Sequence, residues 1–126
     1  MKVMANKIFI NKQNIVECQV IGDQTSESIT AMGEKIQDQL AQLKSERKPL
    51  LLLDDIIKIG QVTPNGRNMV VSLAKTLPYD RLAMLGNNGF IRLGANLIIR
   101  ASGKARKLRY FTNRNEAVKW LQEISI

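Results

Sequence analysis

The chain has 126 residues, of which 44% are hydrophobic and 24% are charged. This length suits one domain with a real hydrophobic core, and it excludes a full-size α/β barrel. No apolar run approaches the ~20 residues of a membrane span, and the first residues lack the apolar stretch of a secretory signal. The single cysteine cannot form an internal disulfide. We therefore expect one domain over residues 1–126 of a soluble cytoplasmic protein.

Positive charge is concentrated in the last third of the chain. Residues 1–80 carry ten Lys and Arg against nine Asp and Glu, whereas residues 81–126 carry nine against two. Such an asymmetry favours an acidic partner, which could be a nucleic acid, an anionic membrane, a phosphate ligand or an acidic protein. A basic surface that only keeps the protein soluble explains the charge equally well.

The first part of the chain predicts an antiparallel β-hairpin followed by a long amphipathic helix. Residues 7–10 and 15–22 are short runs rich in β-branched side chains, and a polar turn separates them. Either Thr25 or Ser26 can cap the helix. Its apolar residues recur at spacings of three and four along about five turns and form one stripe, which consists of Ile29, Met32, Ile36, Leu40 and Leu43.

Two buried strands are predicted further along the chain. Residues 49–55 (PLLLLDD) form an unbroken apolar run that ends in two carboxylates. Such a run is typical of a strand that is covered on both faces in a parallel sheet. Residues 81–85 are a second short apolar strand, which a turn over residues 86–89 closes.

A capped helix is predicted between these two strands. After a linker over residues 56–62, Thr63 is a cap residue and Pro64 occupies the first helical position. The helix runs to about Leu77, and Pro78 ends it. Its inward side chains are expected to be Met69, Val70, Leu73 and Leu77.

The basic last third predicts a helix over residues 90–105. One broad apolar face, which we expect to point inward, consists of Phe90, Ile91, Gly94, Leu97, Ile98 and Ala101. A polar stripe opposite this face consists of Arg92, Asn96 and Arg100, with Lys104 one turn further on. Ile99 lies beside Arg92 on the outer side, and we expect it to be exposed.

A strand over residues 107–112 and a helix capped by Asn113 complete the chain, and the inward stripe of this helix is Ala117, Trp120, Leu121 and Ile124. The order of elements is therefore ββαβαβαβα. Strands that alternate with amphipathic helices predict right-handed crossovers. We expect a mixed α/β fold with a mostly parallel five-stranded sheet, amphipathic helices packed on it and the hairpin as its antiparallel edge.

In this order of elements the chain resembles the STAS domain family, named for sulphate transporters and anti-sigma-factor antagonists, and above all its SpoIIAA-like bacterial branch. The segments that carry the resemblance are PLLLLDD (49–55), RLAMLGNNG (81–89) and RYFTNRNEAVKWL (109–121). An aromatic strand, a polar cap, Glu-Ala and Trp-Leu recur at the end of that branch, here as Phe111, Asn113, Glu116, Ala117, Trp120 and Leu121. The resemblance implies a STAS-like fold and a non-catalytic regulatory module that binds a protein partner.

Antagonist members of that family are switched by phosphorylation of a serine at the start of the helix after the central strand. This sequence departs from that pattern, because residues 54–68 contain no serine and Thr63 is their only hydroxyl residue. A phosphate on Thr63 would meet a helix N-terminus and the nearby Arg67. A plain N-cap explains a threonine before proline better, so we do not carry the phosphorylation switch over.

Catalytic chemistry finds little support in the sequence. There is no histidine, which excludes histidine triads and imidazole bases. Cys18 shares a strand face with Val16 and Val20, so we expect a buried core residue rather than a nucleophile. Asp54 and Asp55 could bind Mg²⁺, but adjacent strand residues point to opposite sides, and we expect two solvated carboxylates. We predict no cofactor, no metal and no enzyme activity.

Two groups of residues are candidate binding sites. The candidate surface for an acidic partner or an anionic ligand is the stripe of Arg92, Asn96, Arg100 and Lys104. Free backbone N–H groups in the turn over residues 86–89, before helix 90–105, could hold an anion. The candidate phosphate or anion contacts are Thr63 and Arg67 at the start of the earlier helix and Gly86, Asn87 and Asn88 in this turn. A solvated helix face and a tight strand-to-helix turn explain the same residues without a ligand.

The leading hypothesis is a module that docks onto an acidic protein partner. A second hypothesis is the binding of a lipid or another small apolar ligand, because helix 90–105 carries apolar residues on more than one face. That helix could line a groove or the interface of a homodimer. Nucleic-acid binding is less favoured, since Phe90 and Trp120 both fall on core stripes and leave too few aromatics for base stacking.

Overall fold

The computed structural model describes residues 5–87 and 89–124. Seven strands and four helices follow one another in these residues. The strands are β1 (Lys7–Ile10), β2 (Val16–Gln19), β3 (Gly22–Gln24), β4 (Leu51–Asp55), β5 (Ile59–Val62), β6 (Arg81–Leu85) and β7 (Leu108–Phe111). The helices are α1 (Ser26–Ser45), α2 (Pro64–Thr76), α3 (Phe90–Ser102) and α4 (Arg114–Gln122).

Five of the strands form one sheet in the order β1-β2-β4-β6-β7. Strand β1 runs antiparallel to β2, whereas β2, β4, β6 and β7 run parallel to one another. Helices α1, α2 and α3 cover one face of this sheet, and α4 covers the other. The predicted mixed, mostly parallel five-stranded α/β fold is therefore confirmed.

The central strand β4 is buried on both faces of the sheet. Leu52 points into the layer formed by α1, α2 and α3, whereas Leu51 and Leu53 point towards α4. All three residues are at most 4% exposed. A strand covered on both sides needs an apolar residue at every position, and the unbroken run of leucines provides it.

Helices α1 and α4 begin and pack as the sequence predicts. The Thr25 hydroxyl oxygen accepts a hydrogen bond from the Ser28 N–H at 3.2 Å, and the Ser28 hydroxyl accepts one from the Thr25 N–H at 2.9 Å. The Asn113 side chain caps α4 by accepting from the Glu116 N–H at 3.0 Å. The predicted α1 stripe is buried, and α4 packs on the sheet through Ala117, Trp120 and Leu121. Ile124, the last residue of the predicted stripe, packs on the same cluster but lies beyond Gln122, where α4 ends.

Helix α2 packs against α1 at Gly33. A Cβ atom on Gly33 would lie 2.6 Å from Cδ2 of Leu73, so glycine allows the two helices to approach closely here. The predicted inward residues of α2 all contact the core, Leu77 as a buried residue and the others as partly buried ones, namely Met69, Val70 and Leu73.

A second, two-stranded sheet replaces the linker that the sequence predicts over residues 56–62. The predicted second hairpin strand divides at Gly22 into β2 and β3, because Gly22 adopts a left-handed φ of +76°. Strand β3 then pairs in parallel with β5. The Asp23 carboxylate supports this pairing by accepting a hydrogen bond from the Gln61 N–H at 2.8 Å. Hydrophobic spacing gives no signal for such a bond between distant residues.

The predicted orientation of α3 is wrong. Phe90 is 91% exposed, and Leu93 and Leu97 are each 63% exposed. Gly94 and Ala101, which were expected to point inward, are exposed as well. Solvent therefore reaches most of the helix face that the sequence assigns to the core.

The inward side of α3 is centred instead on the small residue Ala95. Ala95 is 2% exposed, and the residues that surround it on the packed side of the helix are Ile91, Ile98, Ile99 and Ser102. Ile99 was predicted to be exposed, so this expectation is also wrong. Apolar side chains surround most of α3, and their spacing alone fits more than one face. A short side chain at the closest contact lets α3 approach α2 and β7.

Helix α3 is also shorter than the predicted range of 90–105. It ends at Ser102, because Gly103 adopts a left-handed φ of +70°. Glycine adopts this conformation at little cost, and it commonly terminates helices. Lys104 therefore lies beyond the helix and not one turn further along its polar stripe.

Two leucines test the orientation of the helices. Leu40 in α1 is 0% exposed, whereas Leu97 in α3 is 63% exposed. We expect Leu40→Ala to leave a cavity and to lower the free energy of unfolding by about 2–5 kcal/mol. Leu97→Ala should change it by less than about 0.5 kcal/mol. Urea unfolding followed by circular dichroism measures both values, and equal losses would contradict the exposed position of Leu97.

Candidate functional site

Helix α3 presents a row of apolar side chains to solvent. Phe90, Leu93 and Leu97 are spaced i, i+3 and i+7 and share one side of the helix, and we call them the apolar row. The other two exposed large hydrophobic residues within the described part of the chain, Phe9 and Ile57, lie outside this helix. Isolated exposed apolar residues are ordinary, whereas three neighbouring ones on one helix are a candidate interaction surface.

The predicted polar stripe lies along one flank of the apolar row. Arg92 and Arg100 are exposed, and Asn96 between them is half-buried. The guanidinium carbon of Arg92 lies 5.8 Å from the centre of the Tyr110 ring, which is cation–π distance. We call Arg92, Asn96 and Arg100 the polar row, since these three predicted partner contacts share one side of α3.

Lys104, the fourth predicted partner contact, lies apart from the polar row. It follows the end of α3, and its Nζ atom lies 5.3 Å from the centre of the Tyr79 ring. Tyr79 is 4% exposed, and its hydroxyl donates a hydrogen bond to the Ala74 carbonyl. The cation of Lys104 is therefore held against the body of the protein, close to the C-terminus of α3.

The positive charge around α3 has no acidic residue beside it in the sequence. The segment from Arg81 to Asn115 contains eight Lys and Arg and neither Asp nor Glu. Among the described residues of this segment, Arg114 forms a salt bridge and the other cations form none. Arg92 and Arg100 therefore extend positive charge into solvent, which attracts anionic groups.

Of the two predicted anion contacts at the start of α2, Thr63 has a structural role, whereas the Arg67 side chain forms no hydrogen bond or salt bridge within the part of the chain that the structure describes. The Thr63 hydroxyl oxygen accepts a hydrogen bond from the Gly66 N–H at 3.0 Å, so it caps the helix as the sequence predicts. Arg67 is exposed in the first turn of the same helix. A cation and a helix N-terminus therefore lie together here, with the hydroxyl group already engaged.

The predicted anion contacts at the end of β6 are only partly available. The Gly86 N–H donates a hydrogen bond to the Phe111 carbonyl at 3.0 Å, so this amide is not free to hold an anion, contrary to the prediction. Asn87 is exposed, and its carbonyl accepts a hydrogen bond from the Tyr110 hydroxyl. Asn88 lies outside the described residues.

An ion pair between the buried Glu17 carboxylate and the partly exposed Arg114 side chain joins β2 to α4 on the other face of the sheet. The Glu17 side chain is 2% exposed, and Arg114 donates to both of its carboxylate oxygens. Asn11 and Gln19 donate to the same carboxylate at 3.2 Å. Burial alone raises the pKa of Glu17, but these hydrogen bonds outweigh it and hold the pKa below its ordinary value. The two partners are 97 residues apart, so local spacing gives no signal for their contact.

Asp54 is more buried than the solvated strand end that the sequence predicts. It lies between Cys18 on β2 and Met84 on β6, and its Oδ1 atom is buried without a hydrogen-bond partner among the described residues. Burial raises the pKa of Asp54 to about 7, and the neighbouring Asp55 adds to the rise. Burial and the Asp54 carboxylate also raise the pKa of the Cys18 thiol well above its ordinary value. Cys18 is therefore a buried core residue with little thiolate character, as expected.

Residues 5–87 and 89–124 offer neither a metal-binding cluster nor a membrane-spanning helix. No group of three or more carboxylate or thiol side chains in this part of the chain is arranged to hold a metal ion. None of its helices is both long enough and apolar enough to cross a membrane. The arrangement on α3 is suited to binding, because it combines exposed apolar area with exposed guanidinium groups.

The structures of known proteins define the class of fold. The chain is similar to an uncharacterized protein of the DUF3478 family with a SpoIIAA-like fold from Shewanella loihica PV-4, with a TM-score of 0.68 and 16% identity over 93% of this chain and 92% of that chain. It is also similar to the anti-sigma factor antagonist SpoIIAA in its unphosphorylated form, with a TM-score of 0.61 and 11% identity over 95% of this chain and 100% of that chain. The fold is SpoIIAA-like, which confirms the fold that the STAS resemblance implies.

The sequence defines the family. Residues 8–125 match the family described as "Domain of unknown function (DUF7793)", and the chain belongs to this family. No curated protein matches the chain.

The raised pKa of Asp54 predicts a defined pH dependence of stability. Its pKa of about 7 in the folded chain exceeds the ~3.9 of an unfolded chain, so the folded state holds the proton more tightly. The free energy of unfolding should therefore fall as the pH rises from about 4 to about 7. Asp54→Asn cannot ionise, and we expect it to raise the free energy of unfolding near pH ~8 by about 1–3 kcal/mol.

Urea unfolding at about pH 5 and about pH 8 measures this effect. Asp38→Asn removes an exposed carboxylate on α1 and controls for the loss of one charge. If the free energy of unfolding changes equally for wild type and for Asp54→Asn between the two pH values, the proton that the folded state binds more tightly is not on Asp54.

Proposed function

We propose that the protein is a non-catalytic regulatory module of the STAS type, which acts by docking onto an acidic protein partner. The SpoIIAA-like fold supports this proposal, because one of the similar structures is an anti-sigma factor antagonist. The observation that carries it is the exposed face of α3, on which the apolar row and the polar row lie side by side.

The polar row supplies the charge for this docking. Arg92 and Arg100 lie on one flank of α3, with Asn96 between them. Guanidinium groups form paired, charge-assisted hydrogen bonds with carboxylates, and an asparagine amide both donates and accepts. The Tyr110 ring holds the Arg92 side chain in place, which lowers the entropic cost of binding. Lys104 extends the cationic surface past the C-terminus of α3.

The apolar row supplies the contact area. Phe90, Leu93 and Leu97 have the i, i+3, i+7 spacing with which a helix docks into an apolar groove. Desolvated aromatic and aliphatic anchors contribute most of the binding free energy in such interfaces, whereas the surrounding charges select the partner and speed the encounter. The partner we propose therefore presents an apolar groove that is bordered by carboxylates.

The start of α2 is a secondary anion contact in this proposal. Arg67 is exposed in the first turn of α2, where the helix dipole also attracts negative charge. The engagement of the Thr63 hydroxyl as N-cap supports a structural role for this residue and not a phosphorylation switch. Asn87 adds an exposed polar contact near Arg92, since both residues lie against Tyr110.

Binding of a lipid or another apolar ligand is a second candidate function, and the apolar row favours it. A groove of about 370 Å³ lies along α4 and is lined mainly by polar side chains, so the exposed row is the better place for an apolar contact. Nucleic-acid binding is less favoured. A stacking surface needs several exposed aromatic rings. Phe90 is exposed, contrary to the prediction from the sequence, but Tyr110 and Trp120 are half-buried.

Charge reversal of the polar row tests the docking onto a protein. Wild-type protein and the double variant Arg92→Glu/Arg100→Glu are immobilised and exposed to extract from the native cell, and the captured proteins are quantified by mass spectrometry. We expect the variant to capture the acidic partner at least ~10-fold less, because acidic side chains would then face one another. The matched control Lys35→Glu/Lys44→Glu reverses two exposed charges on α1 and should leave the capture unchanged.

Equal capture by wild type and by Arg92→Glu/Arg100→Glu would contradict the proposed docking. Circular dichroism and thermal unfolding of each variant establish that the captured amounts refer to folded protein. Both substituted arginines are exposed, so we expect the stability of the variant to stay within about 0.5 kcal/mol of wild type.

A further inference from the structure

We propose that α3 binds the surface of an anionic membrane, with the apolar row inserted among the acyl chains and the neighbouring cations in contact with the lipid headgroups. This binding goes beyond the docking onto a protein proposed above and does not depend on it. Three features of the described residues carry it: the protrusion of the apolar row, the way in which α3 is attached to the fold, and the sign of the surrounding charge.

The apolar row protrudes from the molecule. Phe90 is 91% exposed, so almost the whole residue stands clear of its own protein, and Leu93 and Leu97 follow on the same side of the helix. A helix that binds within the membrane interface lies in its plane, with its apolar side about 5–10 Å deep at the boundary of headgroups and acyl chains. Since Phe90, Leu93 and Leu97 share one side of α3, a helix lying in that plane inserts all three side chains to a similar depth.

The opposite side of α3 attaches the helix to the fold. Ala95 is buried, and Ile91 and Ile98 pack partly buried against the core. The apolar row therefore does not complete the core, and the body of the protein lies behind it. A membrane surface can approach such a face without displacing a helix or a loop.

The charge carried by α3 and by the segment that follows it has one sign. Arg100 lies three residues after Leu97 and is exposed, and the exposed Arg106 and Lys107 follow the end of the helix. No Asp or Glu occurs between Arg81 and Asn115. Cations beside an apolar helix face are the combination that binds anionic lipids, because headgroup charge and acyl chains are contacted together.

A second copy of the chain fits this face less well than a membrane. A symmetric pair of α3 helices would place Arg92 and Arg100 of both copies beside one interface, within segments that contain no acidic residue to offset them. Lipids adapt to a protruding ring such as that of Phe90, whereas a protein needs a groove of matching shape. The proposed occupant is therefore an anionic lipid surface.

Vesicle flotation tests this binding with the purified full chain. The vesicles consist either of phosphatidylcholine alone or of phosphatidylcholine with about one quarter phosphatidylglycerol, at a salt concentration of about 0.1 M. We expect at least ~10-fold stronger binding to the anionic vesicles than to the neutral ones. The variant Phe90→Gln/Leu93→Gln/Leu97→Gln keeps good helix formers and should lose this binding by at least ~10-fold.

Two matched controls accompany the triple variant. Ile57→Gln removes an exposed apolar residue outside α3, and Lys35→Gln/Lys44→Gln removes two exposed charges from α1. Both should bind the anionic vesicles as wild type does. Hydrogen exchange on the vesicles locates the contact, and we expect slower amide exchange over residues 90–102 than in the free protein.

Several outcomes would overturn the membrane proposal: no binding of wild type to the anionic vesicles, equal binding to neutral ones, or undiminished binding of the triple variant. If wild type does not bind the anionic vesicles, and the triple variant no longer captures the protein partner that wild type captures, then the apolar row serves the protein docking instead. If vesicle binding holds while Arg92→Glu/Arg100→Glu captures every protein that wild type captures, the protein docking fails and the membrane binding stands.

Discussion

Burial of the central strand β4 on both of its faces is the constraint on which the rest of the structure depends. Leu52 must be covered by one layer of helices and Leu53 by another, so helices are needed on both sides of the sheet. The parallel strands beside β4 also need helical crossovers. Helix α3 is the crossover from β6 to the edge strand β7, and α2 packs beside it. Its position towards the edge of the three-helix layer leaves a broad side of α3 in contact with solvent.

Particular residues show how much of the fold could be predicted from the sequence. The leucine run over residues 51–53, the α1 stripe and the cap at Asn113 each specify local structure without help from distant parts of the chain, and each is confirmed. The pairing of β3 with β5 could not be predicted, because it depends on the backbone of Gly22 and on a bond between Asp23 and Gln61.

The candidate site was predictable in part. The polar row follows from helical spacing alone, so Arg92 and Arg100 share one flank of α3 as expected. The exposure of the apolar row could not be predicted in this way, because apolar residues surround most of the helix. Only the packing of the folded chain makes Ala95 the centre of the inward side. Asp54 shows the same limit, since a carboxylate at the end of an apolar run gives no sign of whether its neighbours exclude water.

Charged side chains have different surroundings on the two faces of the sheet. Where a charge is buried at Glu17, four hydrogen bonds from Arg114, Asn11 and Gln19 satisfy it and fix the start of α4. On the α3 side, Arg92 and Arg100 are exposed, and neither forms a salt bridge within the part of the chain that the structure describes. Exposed cations beside exposed apolar side chains are what both proposed binding activities require.

The orientation of α3 is therefore the central claim, and the reactivity of introduced thiols tests it most directly. Single cysteines placed by Leu97→Cys and by Ala95→Cys are labelled with a maleimide in the folded protein, with the buried Cys18 as internal reference. We predict that Leu97→Cys reacts at the rate of an unfolded control and that Ala95→Cys reacts at least ~100-fold more slowly. Equal rates at the two positions, or protection of Leu97→Cys, would contradict the orientation and both surfaces derived from it.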